Sequence, residues 1–310
     1  MLARVAESLY WMGRSLERVE HCSRYLKVQY YSTLDAPMSQ NKDFTLRSIL
    51  FMSGSNLDVY VPIHENYVWQ KVISDPNNPN SLFQLSHNAR ENARSIRNSI
   101  SSELWEAINK WYLYIRDLEI NTFNSSDIFS FAENATIHLA IIKSAIATTL
   151  LHNDVWSFIN LGIYLERSMQ VLRIVRSKLS DSIILSNNGA NIPLLQYQWT
   201  TLLKSLEAFD VYKNQNRGVL SREAIFALVL DNGLFPRSLK YSSKKVRSHL
   251  AQISVRPVEY EAVIEIFEDK MNNCLNFSDY SNEEEVLSRI SEAIECLSNF
   301  HYDIQQLYFQ

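Results

Sequence analysis

Turn-forming residues are scarce in this 310-residue sequence. It contains six glycines and seven prolines, which are too few for the many turns of an all-β fold but suit long helices. With 46% hydrophobic and 21% charged residues, it has the composition of a soluble globular protein. Its length is enough for a full core and for two structural halves. The composition therefore favours an all-α fold.

Cysteine and long apolar runs are scarce as well. The three cysteines, Cys22, Cys274 and Cys296, are odd in number and form no Cys-x-x-Cys pair, which is typical of reduced thiols in a cytoplasmic protein. Arg4 and Glu7 interrupt the apolar run that a signal peptide requires. No stretch approaches the roughly 18 apolar residues of a membrane span. The net charge of −4 gives no reason to expect nucleic acid or an anionic membrane as a partner. We therefore expect a cytoplasmic protein with neither kind of partner.

Several enzyme motifs are missing from the sequence. It has no Walker phosphate loop, no Gly-x-Gly-x-x-Gly and no Gly-x-Ser-x-Gly, so the usual signs of a nucleotide cofactor or a hydrolase nucleophile are lacking. The helical spacing of Glu17, Glu20 and His21 could place these side chains on one ion. Di-iron sites of helical bundles use a Glu-x-x-His motif, and the second copy of this region, described next, has none. Cys22 beside His21 does not form a catalytic dyad by adjacency. The sequence predicts no cofactor and no metal site.

A repeated Glu-Arg pair is the main feature that the sequence does contain. The string Gly-x-x-Leu-Glu-Arg begins at Gly13 and again at Gly162, 149 positions later, and a further arginine, Arg24 or Arg173, follows each copy. The string Pro-x-Ser-Leu also occurs twice, once in each half. These repeats predict an internal duplication, with one half over 1–150 and the other over 151–310, packed as one continuous structural unit.

Apolar residues recur at helical spacing along the whole chain. They predict an all-α array or bundle of roughly ten helices, with a break at Pro37 after the first helix and a loop over 180–193. The expected helices lie near residues 1–29, 43–52, 64–74, 83–119, 128–151, 155–179, 197–214, 221–230, 239–253, 258–275 and 282–308.

Four groups of residues, spread in order over the chain, carry a resemblance to a known family. They are the run from Leu2 to Arg14 with the first Glu-Arg pair; the run from Ala89 to Arg97 with Glu103, Trp105, Glu106 and Asn109; Trp156-x-Phe158 with the second pair; and Phe235 to Ser238. Together these strings resemble the alpha-E domain family, all-helical bacterial proteins named for a recurring Glu-Arg pair. No single string would be specific.

The resemblance implies a functional setting. Genes of this family lie beside ATP-grasp-type amide ligases and transglutaminase-like peptidases, which implies a role in making, modifying or trimming a peptide or amide-linked product. We therefore expect a non-catalytic partner or substrate carrier that works with these two proteins, with a peptide as a possible substrate. The alternative is an enzyme that acts on an amide or peptide bond itself, with Glu17 or Glu166 as acid or base and Arg90, Arg94 or Arg237 holding an anion.

The Glu-Arg pairs admit two interpretations. Adjacent helical residues point about 100° apart, so Glu17 meets a partner other than Arg18. A helical side chain leans toward the N-terminus, which places Glu17 over Gly13, and a glycine there leaves room for a neighbouring backbone or for a ligand. The pairs are therefore structural braces, the interpretation we favour, or they mark a ligand site.

The candidate ligand-binding residues are mostly arginines. Arg90, Arg94 and Arg97 form a helical stripe that could hold an anion, pair with Glu17 and Glu166, or face solvent; we favour the pairing. Arg237 follows a proline at an expected helix start, where an anion could bind, although Pro236 and Ser238 more simply start and cap that helix. The remaining candidates are Tyr10, Trp11, Arg18, Arg24, Asn92, Arg167 and Arg173.

Overall fold

The computed structural model describes residues 1–35, 42–54, 63–118, 125–190, 192–216, 220–275, 280 and 282–310. These residues form thirteen α-helices and no β-strand, which confirms the predicted all-α fold. The α-helices are α1 Ala3–Asp35, α2 Lys42–Ser53, α3 Glu65–Trp69, α4 Leu82–Ser95, α5 Ser102–Arg116, α6 Ser125–Thr149, α7 Asp154–Asn187, α8 Ile192–Ser205, α9 Phe209–Gln215, α10 Arg222–Phe226, α11 Leu239–Gln252, α12 Tyr260–Leu275 and α13 Glu283–Tyr308. Two π-helical turns, Gln70–Ser74 and Ala227–Asp231, and a 3-10 turn, Arg97–Ser99, complete the helical structure. No helix in these described ranges has the length and apolarity needed to cross a lipid bilayer.

The described chain divides into two compact units, and the first is Met1–Ile163. In this unit α1 packs against α4 and α6, and α5 packs against the same two helices, so the four enclose one core. The apolar seam of α1, which includes Leu9, Met12 and Leu16, is buried there. Trp111 of α5 is also buried, and its indole Nε1 donates a 2.7 Å hydrogen bond to the Ser86 hydroxyl of α4. The polar atom of the ring is thereby satisfied inside the core.

The second unit is Tyr164–Gln310, and the division between the units falls within α7. Here α12 packs on α13, α8 contacts α9 and α10, and α11 packs on the second π-helical turn. The rings of Phe267 on α12 and Phe300 on α13 stack with centroids 3.8 Å apart. The predicted halves 1–150 and 151–310 follow the sequence repeat, and that division stays a prediction.

The two units repeat one order of elements. A short helix, a π-helical turn, a proline turn and a 14-residue helix follow one another at α3–α4 and again at α10–α11. Each element of the second run begins 157 positions after its counterpart in the first. Ser81 and Ser238 cap the two 14-residue helices, because their hydroxyls accept from the amides of Gln84 and Tyr241 at 3.1 Å and 3.0 Å.

The predicted helix over 83–119 is wrong, because the structure contains two helices in this region. α4 ends at Ser95, a 3-10 turn follows, and α5 begins at Ser102. Ser101 accepts a hydrogen bond from the Leu104 amide at 3.1 Å, so a side-chain cap restarts the helix where apolar spacing continues without a break. The predicted end at Glu119 lies outside the described residues.

Three other predicted boundaries also change. The predicted loop over 180–193 is largely helix, because α7 continues to Asn187, and the buried Lys178 ammonium holds the Asp181 carboxylate at 2.8 Å one turn later. The predicted helix over 197–214 is interrupted at Glu207, whose φ of 53° is left-handed. Helix α1, expected near residues 1–29, continues to Asp35, and the break expected at Pro37 lies outside the described residues.

Candidate functional site

Gly13 and Gly162 bring α1 and the first part of α7 into backbone contact within the first unit. A Cβ atom on Gly13 would lie 2.2 Å from the Ile159 carbonyl oxygen, and one on Gly162 would lie 2.2 Å from the Tyr10 carbonyl oxygen. Real Cβ atoms do not approach this closely, so only glycine fits at either position. Of the two occupants that the sequence left open beside each glycine, the structure therefore places a neighbouring backbone there.

Glu17 lies in an enclosed ionic cluster. Its side chain is 0% exposed, its Oε1 lies 3.2 Å from His21 Nε2, and its Oε2 lies 3.0 Å from the Lys143 ammonium of α6. The same ammonium contacts Glu20, which is also paired with Arg24. Buried charges need such partners, because the free-energy cost of removing a charge from water is otherwise not offset. The first Glu-Arg pair thus contributes its carboxylate to a brace between α1 and α6.

Glu166 is enclosed in the same way within the second unit. It is 0% exposed, and its Oε1 accepts a 2.6 Å hydrogen bond from Gln170 Nε2. Gln170 occupies the position that corresponds to His21, 149 residues earlier, so each copy forms the same (i, i+4) contact with a different donor. Arg167 donates to the Pro236 carbonyl oxygen at 3.3 Å, and Arg173 is half-buried on α7.

A polar groove of about 470 Å³ lies beside the first Glu-Arg helix, at the proline turn and α4. Three predicted ligand-binding residues, Trp11, Arg18 and Asn92, line it together. The full lining consists of Trp11, Arg14, Ser15, Arg18, Pro79, Asn80, Leu85, Asn88, Glu91 and Asn92. We call this feature the α1–α4 groove.

Two arginines form the α1 wall of the groove. Arg14 is 5% exposed, and its guanidinium carbon lies 5.0 Å from the Trp11 ring centroid and 5.7 Å from that of Tyr10. Such cation–π contacts hold a guanidinium in a fixed orientation. Arg18, one turn later, donates to Asn80 Oδ1 at 3.0 Å. Tyr10 is fully buried, so this predicted ligand-binding residue supports Arg14 from the core and is not part of the lining.

The turn that carries Asn80 is ordered by its own side chains. Lys71 donates to the Asp75 carboxylate at 2.7 Å, and this hydrogen bond holds the pKa of Asp75 below its usual value. Asn78 donates to the Lys71 carbonyl oxygen at 2.8 Å and accepts from the Asn80 amide at 3.1 Å. These contacts fix the rim of the groove opposite Arg18.

The arginine stripe finds its partners on and near α4. Arg90 donates to Glu91 at 2.7 Å and to the Asn109 side chain at 2.8 Å, and Arg94 also pairs with Glu91. Arg97 donates to the Ser102 hydroxyl at 3.1 Å. The predicted pairing of this stripe with Glu17 and Glu166 is therefore wrong, because nearer acceptors lie within one or two turns of each arginine or on the adjoining α5.

Arg237 lies at the corresponding turn of the second unit. Its guanidinium contacts the Glu207 carboxylate at 2.6 Å. Ser238 caps α11, as the sequence predicted. Glu207 owes its position to the left-handed backbone between α8 and α9, which local sequence patterns do not reveal.

Some residues of the groove were not among the sequence candidates: Arg14, Ser15, Asn80, Asn88 and Glu91. Arg14 and Glu91 do lie in the strings that carry the family resemblance, so that signal was present. Asn80 lies within the repeated Pro-x-Ser-Leu string and could have been found there. Within the described ranges, no group of three or more His, Cys, Asp and Glu side chains is placed to hold a metal ion.

The fold and the two Glu-Arg helices define a class of protein: an all-helical protein built on a repeated order of elements, with both signature carboxylates enclosed. Residues 1–309 match the family described as "Alpha-E: A predicted alpha-helical domain with a conserved ER motif". The chain therefore belongs to the Alpha-E family, and the resemblance seen in the sequence is confirmed.

Curated relatives in mycobacteria extend this comparison. The chain is 22% identical over 331 aligned residues to the uncharacterized protein Mb2597 of Mycobacterium bovis and to the uncharacterized protein Rv2567 of Mycobacterium tuberculosis. The alignment covers 98% of this chain and 36% of each relative, so the chain spans about a third of their length. No solved structure matches the chain.

Proposed function

We propose that this chain is a non-catalytic partner or substrate carrier that works with an ATP-grasp-type amide ligase and a transglutaminase-like peptidase in peptide synthesis or modification. One observation carries the proposal: Glu17 and Glu166, the residues best suited to acid or base chemistry, are each 0% exposed. A general acid or base must come within hydrogen-bond distance of the proton that it transfers. Neither carboxylate has solvent access for a substrate.

The partners of these carboxylates support the same function. Glu17 is held by His21 and by the Lys143 ammonium, and Glu166 accepts from Gln170. Breaking such contacts in the interior is costly, so the carboxylates act as braces. This enclosure argues against the alternative in which either residue attacks or protonates an amide.

The composition of the α1–α4 groove agrees with binding without catalysis. Its ten described lining residues include one hydroxyl, on Ser15, and one carboxylate, on Glu91, which is paired with Arg90 and Arg94; they include no histidine, lysine or cysteine. A hydroxyl nucleophile needs an adjacent base to become reactive. Arginine and asparagine side chains instead provide orientation and hydrogen bonding.

The proposal is tested with the purified protein and the ATP-grasp ligase encoded nearest to it in the same genome. We expect micromolar binding between the two by calorimetry, and no hydrolysis or ligation of peptides by the isolated chain. Glu17→Gln and Glu166→Gln, in variants shown by circular dichroism to be folded, should leave ligase binding unchanged. Absence of ligase binding up to about 100 µM, or peptide turnover by the isolated chain that either variant abolishes, would contradict the proposal.

A further inference from the structure

We infer that the α1–α4 groove of the first unit binds the carboxylate of a peptide, and that the corresponding position in the second unit has closed. The inference rests on the proposed role in peptide modification and assigns that role a site. Two independent observations support it: the chemistry of the groove lining, and the replacement of that lining in the second copy.

Charge in the groove favours one small anionic group. Arg14 and Arg18 are four residues apart on α1, so both guanidinium groups reach the same wall. A guanidinium recognises a planar carboxylate through paired N–H donors. Glu91, the acidic residue of the lining, is contacted by Arg90 and Arg94, which offset its charge. The two guanidinium groups on the α1 wall therefore supply N–H donors of the kind that a ligand carboxylate accepts from.

Amide side chains on the facing wall match a peptide backbone. Asn88 and Asn92 are one turn apart on α4, and Asn80 lies at the rim. Each primary amide has two donor and two acceptor sites; Arg18 uses one acceptor site of Asn80, and Gln84 uses one of Asn88. Asn92 Nδ2 donates to the Asn88 carbonyl oxygen at 2.9 Å, which fixes the orientation of that amide. A volume of about 470 Å³ is within the range of small-ligand sites and suits a short peptide end.

In the second unit, two aromatic rings stand where the corresponding lining residues would be. Tyr164 corresponds to Ser15 at the 149-residue offset, and His249 corresponds to Asn92 at the 157-residue offset. The two rings stack with centroids 5.5 Å apart and an interplanar angle of 15°. Two small or polar groove residues are thus replaced by two rings that stack face to face.

The arginine that the second copy keeps is used within the protein. Arg167, the counterpart of Arg18, lies with its guanidinium carbon 4.8 Å from the Tyr164 ring centroid and donates to the Pro236 carbonyl oxygen. The counterpart of Arg14 is Ile163, which has no charge. The second copy therefore retains the Glu-Arg brace without the carboxylate-binding wall.

The test uses N-acetylated tripeptides with free carboxyl ends, the same peptides with amidated ends, and inorganic phosphate. Binding to the full chain is followed by the NMR signal of the Trp11 indole N–H, assigned with Trp11→Phe. We expect the free-acid peptides to shift this signal to saturation and the amidated peptides to bind at least about tenfold more weakly. Phosphate at equal concentration should compete only weakly, because it has no amide group for the asparagines to bind.

Variants locate the site. Ser15→Tyr copies the second unit and should abolish peptide binding; since Ser15 is buried and this variant can fail to fold, Arg18→Gln serves as the second test. We expect Arg18→Gln to weaken binding by about tenfold or more. Arg167→Gln, at the matching position of the second unit, is the control and should bind peptides as the unmodified chain does.

Equal affinity for free and amidated peptides, binding of phosphate as strong as that of the peptides, or an equal loss in Arg167→Gln would overturn the inference. Absence of binding by every peptide at millimolar concentration would overturn it as well. The ligase-binding measurement judges the proposed function separately. A chain that binds the ligase but no peptide keeps the partner role and loses this site.

Discussion

Gly13 and Gly162 each face a carbonyl oxygen three residues before the other: that of Ile159 for Gly13 and that of Tyr10 for Gly162. The contact is reciprocal because the two glycines hold the same position in the two copies of the Gly-x-x-Leu-Glu-Arg string. Each glycine lies four residues before its enclosed glutamate. The signature string therefore combines a backbone contact with a buried carboxylate in one stretch of helix.

Gly13→Ala should destabilise the protein. Alanine is the better helix former by about 1 kcal/mol, but its Cβ would lie 2.2 Å from a backbone oxygen, and overpacking of this kind costs about 1–3 kcal/mol or more. We expect a lower midpoint of urea unfolding. Gly233→Ala is the control, because its Cβ would meet the flexible tip of Lys244. If Gly13→Ala is as stable as the unmodified protein or more stable, the backbone contact at Gly13 is contradicted.

Glu17→Gln should cost more stability than His21→Gln. The first change leaves the Lys143 ammonium with one carboxylate fewer inside the cluster, and we expect a loss of about 2 kcal/mol, reduced from the value for a fully buried pair because Lys143 is partly exposed. The second change copies Gln170, which already donates to Glu166, and should cost under about 1 kcal/mol. The free energy of unfolding decides the order, and the reverse order would show that Glu17 does not act as a brace.

Asp75→Asn should remove a small part of the loss of folding stability at acid pH. The hydrogen bond from Lys71 depresses the pKa of Asp75 in the folded state. The contribution of this hydrogen bond to the free energy of unfolding is therefore present above the unfolded-state pKa of about 3.9. It is lost as the pH falls through the folded-state pKa. Its size at pH 6 should stay under about 1 kcal/mol, because the pair is partly exposed.

The asparagine variant has a natural precedent in the chain. Asn232 holds the corresponding position and accepts from the Leu234 amide at 2.8 Å, so the turn should persist in Asp75→Asn. Unfolding measured from pH 6 to pH 2.5 should show the two proteins converging in acid. A stability difference that stays constant over this range would contradict the assigned cause.

Thiol reagents should modify the folded protein slowly. Burial raises the pKa of Cys296 to about 11, so about one molecule in a thousand carries its thiolate at pH 8. Cys22 is buried, and burial also raises the pKa of the partly exposed Cys274. With Ellman's reagent we expect Cys274 to react first and the other two after denaturation; rapid reaction of Cys296 in the folded chain would contradict this.

Much of the fold follows from local patterns, whereas the site does not. Apolar spacing predicts α6 well, since one buried face runs along that helix, whereas α1 is buried on nearly every side between Leu9 and Leu26. The break before Ser102 depends on a single serine cap within an unbroken apolar pattern, so the spacing conceals it. The partners of Arg90 and Glu17 depend on which helices adjoin, and the sequence gives no distance between a carboxylate on α1 and an ammonium on α6.

The α1–α4 groove also contains residues that the sequence could identify and residues that it could not. Trp11, Arg18 and Asn92 could be selected as polar or aromatic residues within the resemblance, but Asn80 lines the groove through the geometry of a turn 62 residues from Arg18. Tyr10, selected on the same grounds as Trp11, is a core residue. Adjacent helical positions point about 100° apart, and the packing of α1 decides which of the two reaches the groove.

The π-helical turns Gln70–Ser74 and Ala227–Asp231 bear on the predicted duplication of the chain. A π-helical turn arises when one extra residue is accommodated in an α-helix, and both copies carry it at the same place before the proline turn. A single insertion that preceded the predicted duplication would account for both. On that prediction, the single-copy ancestor already had this turn, and the stacked rings of Tyr164 and His249 belong to the later divergence of the two copies.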